Sequence, residues 1–274
     1  MKVRKGRLNI IEIRNDTGSI YKIGIIKEKS RPYRLKVEAW VLSQLNSLGV
    51  NVPRVFGYYQ DQEGREVLIL QRIYGKRLSQ IMSKKNAQVM LKVGTQLALL
   101  RSSMKSQGYG WIDPISMTGK FDDWRSFLLF YLQKYGDLLK NRGTLSEESL
   151  KKLLHLLDSI NLEDVKPCLV HRDIKPSNIL IDKNGEVWIL DWENTIIGDQ
   201  LFDLAIFGAR FGEGEFWKNL AKGLELEFET SSPKYMLYKI IGLIGVIDFC
   251  QQYGLHWEGK QRRLHKLLQK LQTP

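Results

Sequence analysis

The chain is poor in the features that would commit it to a stapled, metal-clustered or membrane-spanning design. Cysteine occurs only twice, as Cys168 and Cys250. Two thiols exclude a disulfide framework and a cysteine-based metal cluster. The N-terminal run MKVRKGRLNI has no apolar core of the kind a secretory leader needs. The most apolar stretch, Ile240 to Cys250, is too short to span a bilayer and carries Asp248, so no membrane insertion is expected. No internal repeat and no low-complexity segment is present. Arginine-rich tracts and nucleic-acid-binding motifs are also missing, so nothing points to a nucleic-acid partner. A cytoplasmic, reduced setting follows as the expectation.

What is present is ordinary in amount and uneven in charge. The 274 residues are 43% hydrophobic and 26% charged, with 42 basic against 30 acidic side chains and a formal net charge of +12. That length suits two lobes sharing one cleft. The positive balance favours anionic partners in general.

The first 75 residues are strand-rich. Leu8–Arg14 and Ser19–Ile26 flank Asn15-Asp16-Thr17-Gly18, a hairpin signal. A helix is expected over Tyr33–Leu48, ended by Gly49. Short strands over Arg54–Tyr59 and Glu66–Gln71 are separated by a turn at Asp61–Gly64. Beyond Gly75 the pattern turns helical: Ala87–Met104 carries one apolar stripe, and Asp123–Leu139, Ser146–Ile160 and most of the chain after Phe202 read as helices. Residues 168–191 interrupt them as strand and loop. The fold class is therefore α+β, with a small β-rich N-terminal lobe (1–73) and a larger helical C-terminal lobe (74–274).

The stretch CLVHRDIKPSNILIDKNGEVWILDWE, residues 168–193, concentrates the chemistry. Two β-type runs, Asn178–Ile181 and Val187–Leu190, surround Asp182-Lys183-Asn184-Gly185, and Asn-Gly is the strongest short hairpin signal. A two-residue turn at Asn184-Gly185 would set Asn178 directly opposite Asp191, with Cβ atoms about 5 Å apart. An amide oxygen and a carboxylate that close can share a hard cation such as Mg²⁺. Asp173, in the polar loop just before, is placed to accept a proton from an attacking hydroxyl. Lys175 adds positive charge where a transferring phosphoryl group would carry negative charge. Any one of these residues alone would read as an ordinary polar turn; their joint spacing does not.

His171-Arg172-Asp173-Ile174-Lys175-Pro176-Ser177-Asn178 resembles the protein-kinase catalytic loop, and Asp191-Trp192-Glu193 stands where protein kinases carry Asp-Phe-Gly. With Gly198-Asp199-Gln200-Leu201-Phe202-Asp203-Leu204-Ala205 following, the chain resembles the superfamily of aminoglycoside phosphotransferases and choline kinases. The resemblance covers nearly the whole chain and is most specific between residues 168 and 205. It implies a bilobal protein-kinase-like fold and transfer of the γ-phosphate of ATP to a hydroxyl of a small molecule. Asp173 would be the base, Asn178 and Asp191 would bind Mg²⁺, and Asp203 would brace the catalytic loop. It also implies a lysine on the nucleotide phosphates, held by a helix glutamate. Glu38 shares its helix face with Leu35, Leu42 and Leu45, so it points inward, where an unpaired carboxylate is costly. Lys22 and Lys27 are the candidate partners, and strand alternation favours Lys22. The segment Leu68–Gly75 resembles the lobe connector, with backbone groups near Gln71 and Ile73 on adenine.

Two departures stand out. There is no G-x-G-x-x-G; the chain begins almost at the second strand of such lobes, with Lys5-Gly6-Arg7 as the only remnant of a phosphate-covering loop, so either the first strand is abbreviated or missing, or the loop itself is abbreviated. Arg172 replaces the small residue that small-molecule kinases place between His and Asp, and with Lys175 it resembles protein Ser/Thr kinases. Against a protein kinase, no Ala-Pro-Glu follows and Asp191 to Asp203 leaves no room for an activation loop. A non-enzymatic nucleotide-binding scaffold is the third reading. The acceptor site is expected in the helical lobe, lined by Gly119–Trp124 and by Asp248, Trp257 and Glu258. The basic segment Lys260–Lys270 reads as a solvated helix face.

Overall fold

The β-rich start of the chain folds into one antiparallel sheet in the computed structural model, which describes residues 2–25, 33–103 and 108–271. Its strands are β1 (Lys2–Lys5), β2 (Asn9–Arg14), β3 (Ser19–Gly24), β4 (Val55–Gln60) and β5 (Glu66–Gln71), in the order β1-β2-β3-β5-β4. Helix α1 (Arg34–Ser47) packs on β4 and β5 through Leu35, Val41, Leu42 and Leu45, all buried. The expected strands and helix thus form. The first strand is there: β1 pairs with β2 from Lys2 opposite Ile13 to Lys5 opposite Ile10. Its turn is closed by Gly6 N–H donating to Asn9 O at 2.8 Å, so a short loop without glycine repeats still completes the sheet. Lys27 lies outside the described residues.

Beyond the sheet the chain is helical, with two small sheets of which the sequence pattern revealed the β10–β11 hairpin but not the whole. The larger elements are α2 (Val89–Ser103), α3 (Trp124–Asn141), α4 (Glu147–Ser159), α5 (Leu201–Phe211), α6 (Glu215–Leu224), α7 (Pro233–Gln252) and α8 (Glu258–Lys270). Asp123 caps α3 by accepting from Ser126 N–H at 2.8 Å, and Ser146 caps α4 the same way from Ser149 N–H at 3.1 Å, each satisfying a free N-terminal donor. Strands β6 (Gly75–Arg77), β10 (Ile179–Asp182) and β11 (Val187–Ile189) form one small sheet, ordered β11-β10-β6. Strands β7 (Tyr109–Ile112), β8 (Gly119–Phe121), β9 (Cys168–Val170) and β12 (Ile196–Gly198) form the other, ordered β8-β7-β12-β9. A Cβ on Gly75 would meet Ile181 O at 2.2 Å, so only glycine allows β6 to lie against β10 here.

Trp124, Phe127, Phe202 and Tyr238 interlock in the core of the helical lobe, with Trp124 Nε1 donating to Tyr238 OH at 2.7 Å. Among the described residues no helix is long and apolar enough to cross a membrane.

Candidate active site

A cleft of about 1270 Å³ opens between the sheet and the helical lobe, and all eight sequence-predicted site residues, Lys22, Glu38, Gln71, Ile73, Asp173, Lys175, Asn178 and Asp191, line it. On the sheet side, Lys22 comes from β3 and Glu38 from α1. Both are almost fully buried, at 6% and 1% exposed. Lys22 Nζ lies 2.8 Å from Glu38 Oε2, 2.8 Å from Asp191 Oδ1 and 3.0 Å from Glu193 Oε2. One ammonium thus serves three carboxylates. Arg34 adds partial compensation, with Nη1 3.4 Å from Glu193 Oε2, and Asn9 Nδ2 donates to the same oxygen at 2.7 Å. Glu38 uses its other oxygen to accept from Trp192 N–H at 3.1 Å.

The charges follow from this crowding. Burial works against the ammonium of Lys22, but Asp191, Glu193 and Glu38 together hold its pKa well above the usual lysine range. Burial is the strongest influence on Glu38 and lifts its carboxyl to about 7, because Lys22 is shared with two competing acids. Burial also opposes the Asp191 carboxylate, yet Lys22 overrides it and brings Asp191 down to about 2. Of the three acids around one lysine, the most deeply buried takes up a proton most readily.

The turn of the β10–β11 hairpin corrects the expected register. Ile179 pairs with Ile189 and Ile181 with Val187, so Lys183, Asn184 and Gly185 all lie in the loop. Asp182 Oδ1 accepts from Asn184 N–H at 2.8 Å and Glu186 N–H at 3.0 Å, and Gly185 sits at φ +78°. The carboxylate favours a three-residue turn with the glycine in the left-handed region over the two-residue alternative. Asn178 therefore faces Leu190, whose N–H donates to Asn178 O at 2.8 Å, and Asp191 falls one residue beyond the pairing. Asp191 itself adopts φ +68°. This departure from strand geometry re-aims its carboxylate toward Lys22, so both residues still line one cleft although they are not cross-strand partners.

The catalytic-type loop is held from below. Asp203, on α5, accepts from His171 N–H at 2.8 Å and Arg172 N–H at 2.6 Å. Arg172 is held at φ +65°, a conformation costing on the order of 1 kcal/mol or more for a residue with a side chain. Burial raises the Asp203 carboxyl, with His171 and the loop N–H groups opposing. Asp173 is pinned between two cations: Arg210 Nη1 is 2.6 Å from its Oδ1, and Lys175 Nζ pairs with its Oδ2. Asn178 Nδ2 donates to Asp173 O at 3.0 Å and Oδ2 at 3.1 Å. Burial pushes the Asp173 carboxyl up, but Arg210 and then Lys175 bring it below the ordinary range.

At the connector, Gln71 N–H donates to Arg54 O at 2.8 Å and Arg72 N–H to Gly18 O at 2.9 Å. Of the expected acceptor lining, Asp248 reaches the cleft; residues 119–124 and Trp257 and Glu258 do not. Residues 119–121 are spent in β8 and Trp124 is core. Sequence reasoning missed Arg210, whose place in the last turn of a helix reads as simple dipole compensation. It also missed the use of Glu193, Arg34 and Asn9 around Lys22, for which no local signal exists.

Residues 27–237 match the model of the phosphotransferase enzyme family. The chain belongs to that family. Its fold is shared with the aminoglycoside phosphotransferase APH(4)-Ia, solved as a thermostable mutant in its apo form, at TM-score 0.77 and 17% identity, covering 98% of this chain and 94% of that one. The choline kinase LicA from Streptococcus pneumoniae aligns at TM-score 0.69 and 18% identity over 99% and 93% of the two chains. A putative fructosamine-3-kinase from Haemophilus somnus 129PT aligns at TM-score 0.66 and 20% identity over 100% and 90%. The gamma catalytic chain of phosphorylase b kinase, liver/testis isoform, from Rattus norvegicus is 37% identical over 70 residues, 24% of this chain. The serine/threonine-protein kinase unc-51 from Caenorhabditis elegans is 33% identical over 110 residues, 38% of this chain. This chain spans 17% and 11% of the lengths of those two curated relatives. The fold is thus the bilobal protein-kinase-like one.

Proposed function

We propose that this phosphotransferase moves the γ-phosphate of ATP to a hydroxyl of a small molecule with the help of Mg²⁺. The observation that carries the reading is the convergence, in one cleft, of the buried Lys22–Glu38 pair with Asp191, Asn178 and Asp173. The solved relatives support it: APH(4)-Ia mutants are known with AMP-PNP and hygromycin B and with ADP and hygromycin B, and LicA with AMP. In this reading residues 1–73 hold the nucleotide and residues 74–274 supply the chemistry and the acceptor site. The Gln71 carbonyl and the Ile73 N–H face adenine, since the N–H groups of Gln71 and Arg72 are already used.

The donor set suits Mg²⁺. Asn178 turns its amide NH₂ toward Asp173, which leaves Oδ1 as an acceptor, and Asp191 adds a carboxylate. Among the described residues no group of three or more His, Cys, Asp or Glu could hold a metal. Mg²⁺ usually binds one or two carboxylates and completes its shell with phosphate oxygens and water. Asn178 and Asp191 would hold the ion, which when bound neutralises phosphate charge. Lys22 steadies the phosphates. Asp173 orients the acceptor hydroxyl and takes its proton. The acceptor oxygen bonds to the γ-phosphorus as the bond to the β–γ bridging oxygen breaks, and ADP leaves with that electron pair. Lys175 offsets the charge on the transferring group.

A protein-kinase reading is disfavoured by the segment after Asp191. It enters β12, which pairs with β7 and β9, and then α5 directly. A cytoplasmic setting suits the two buried free thiols, Cys168 and Cys250. The deciding experiment is ADP release and product mass measured with Mg·ATP against sugars, sugar acids, aminoglycosides, amino alcohols and a generic protein substrate. Transfer to a small hydroxyl compound is the expected result. Phosphorylation of the protein substrate alone, or no nucleotide binding at all, would reject the proposal.

A further inference from the structure

We propose that the acceptor of this reaction is itself an anion, a hydroxyl compound such as a sugar that carries a phosphate or carboxylate group. The inference rests on the reading above and adds the charge class of its acceptor. It is carried by the charges lining the helical-lobe part of the cleft. Four acids from that lobe line the cleft; Asp191 and Glu193 turn to Lys22, and the other two, Asp248 and Asp173, are already paired. Asp248 is 2.8 Å from Arg142, and Asp173 is shared by Arg210 and Lys175. The second pairing leaves one positive charge in excess. Arg172 and Lys134 add to it, because among the described residues no carboxylate lies within ion-pair distance of either. Asp203, behind the loop, is spent on the N–H groups of His171 and Arg172.

Arg172 is the sharpest part of the pattern. Its Nη2 donates to Tyr131 OH at 3.0 Å, while its buried Nε has no partner. Met only by a neutral hydroxyl in a half-buried place, the guanidinium keeps its charge uncompensated, and a phosphate or carboxylate is the group that neutralises it. The aromatic surface nearby cannot serve as a cage for a cationic ligand, because the protein's own cations occupy it. Arg172 lies over Tyr131 at 5.2 Å, and Lys134 lies 5.3 Å from the rings of both Trp111 and Tyr135. These cations come from α3, the catalytic loop and α5, not from the sheet that carries Lys22. A cationic acceptor would meet like charge at each of them, a penalty, whereas an anionic one would bridge Arg172 and Lys134 and leave Asp173 to its hydroxyl.

The test is calorimetric titration of the full-length protein, preloaded with Mg·AMP-PNP so that the nucleotide site is filled. The probes are four matched hexoses: glucose, glucose 6-phosphate, glucuronate and glucosamine. Glucose 6-phosphate or glucuronate should bind about tenfold more tightly than glucose, the size of one charge-assisted hydrogen bond. Glucosamine should gain nothing. The order of the two acids tells phosphate from carboxylate recognition. Arg172→Gln and, on a separate element, Lys134→Gln should each reduce the anion's advantage several-fold, with unchanged melting profiles showing that the fold is kept. Tightest binding of glucosamine, equal binding of all four, no binding of either acid, or an advantage untouched in both variants overturns the proposal. Failure of AMP-PNP to bind in the first step instead rejects the nucleotide reading on which it rests.

Discussion

Arg210 Nη1 sits 2.6 Å from Asp173 Oδ1, joining the last turn of α5 to the loop that carries the proposed base. The contact is fixed from the other side, since Arg263 Nη1 donates to Ala209 O at 3.2 Å and also to Arg210 O. The proposed base is thus kept ionised and aimed, ready to accept a proton.

Asp173→Asn preserves size and the contacts of Lys175 and Asn178 but removes the proton acceptor. Turnover on any acceptor should fall by roughly 10²- to 10⁴-fold, with AMP-PNP affinity little changed. Single-turnover kinetics with binding measured in parallel checks it; a variant that keeps near-normal turnover removes Asp173 from the role.

Arg210→Ala should move the acidic limb of the kcat/KM profile upward. Burial raises the Asp173 carboxyl and Arg210 is the first influence opposing it. Without the guanidinium a higher pH is needed to ionise the carboxyl. A limb that stays put in a pH series would mean that another group controls it.

Lys22→Met should destabilise the protein by about 3–5 kcal/mol, because it leaves the buried Glu38 and Glu193, with the half-buried Asp191 beside them, without their shared cation. Urea denaturation reads the loss. Nucleotide binding should weaken in the same variant, and a silent substitution would show that the cluster is not the anchor of the site.

Glu38 gives the fold a pH dependence of definite sign. Its carboxyl is raised from 4.5 to about 7, so the folded chain holds the proton more tightly than the unfolded one. The stability from this group is full below pH 4.5 and is lost as the pH rises to about 7. Asp191, brought down to about 2, titrates below that window. The stability of the native protein relative to Glu38→Gln should therefore decline between pH 4.5 and 7 in urea melts; a flat difference contradicts the raised carboxyl.

Asp191→Ala should abolish Mg·ATP-dependent transfer, whereas Asn178→Ala should be milder, since water can replace one neutral oxygen. Activity titrated with Mg²⁺ separates the two: a higher metal requirement is expected for the Asn178 variant. Full metal-dependent turnover by Asp191→Ala would remove that residue from the metal site.

The residues of the site were legible because their spacing within one short stretch constrains chemistry more than any single residue does. The Lys22–Glu38 pair followed from a charged residue on an apolar helix face. The hairpin register did not follow, because Asn184-Gly185 suits two turn lengths and the choice is made by Asp182, whose hydrogen bonds to Asn184 and Glu186 select the longer turn. Strands β7, β8 and β12, of three or four residues each, are too short to show an alternating pattern. Arg210 and Arg34 act across the fold, at distances in sequence where local pattern carries no information.

The two oxygens of Glu38 have different addresses: one is held by Lys22 of the sheet, the other by the backbone N–H of Trp192, just after Asp191. A single side chain thus latches the mouth of the cleft from inside. Any swing that parts the sheet from the β10–β11 hairpin must break this latch, in a place where water cannot replace it cheaply. The free energy of the latch is subtracted from the affinity of any molecule that needs the open form to enter, and it slows departure of any product that needs the same opening.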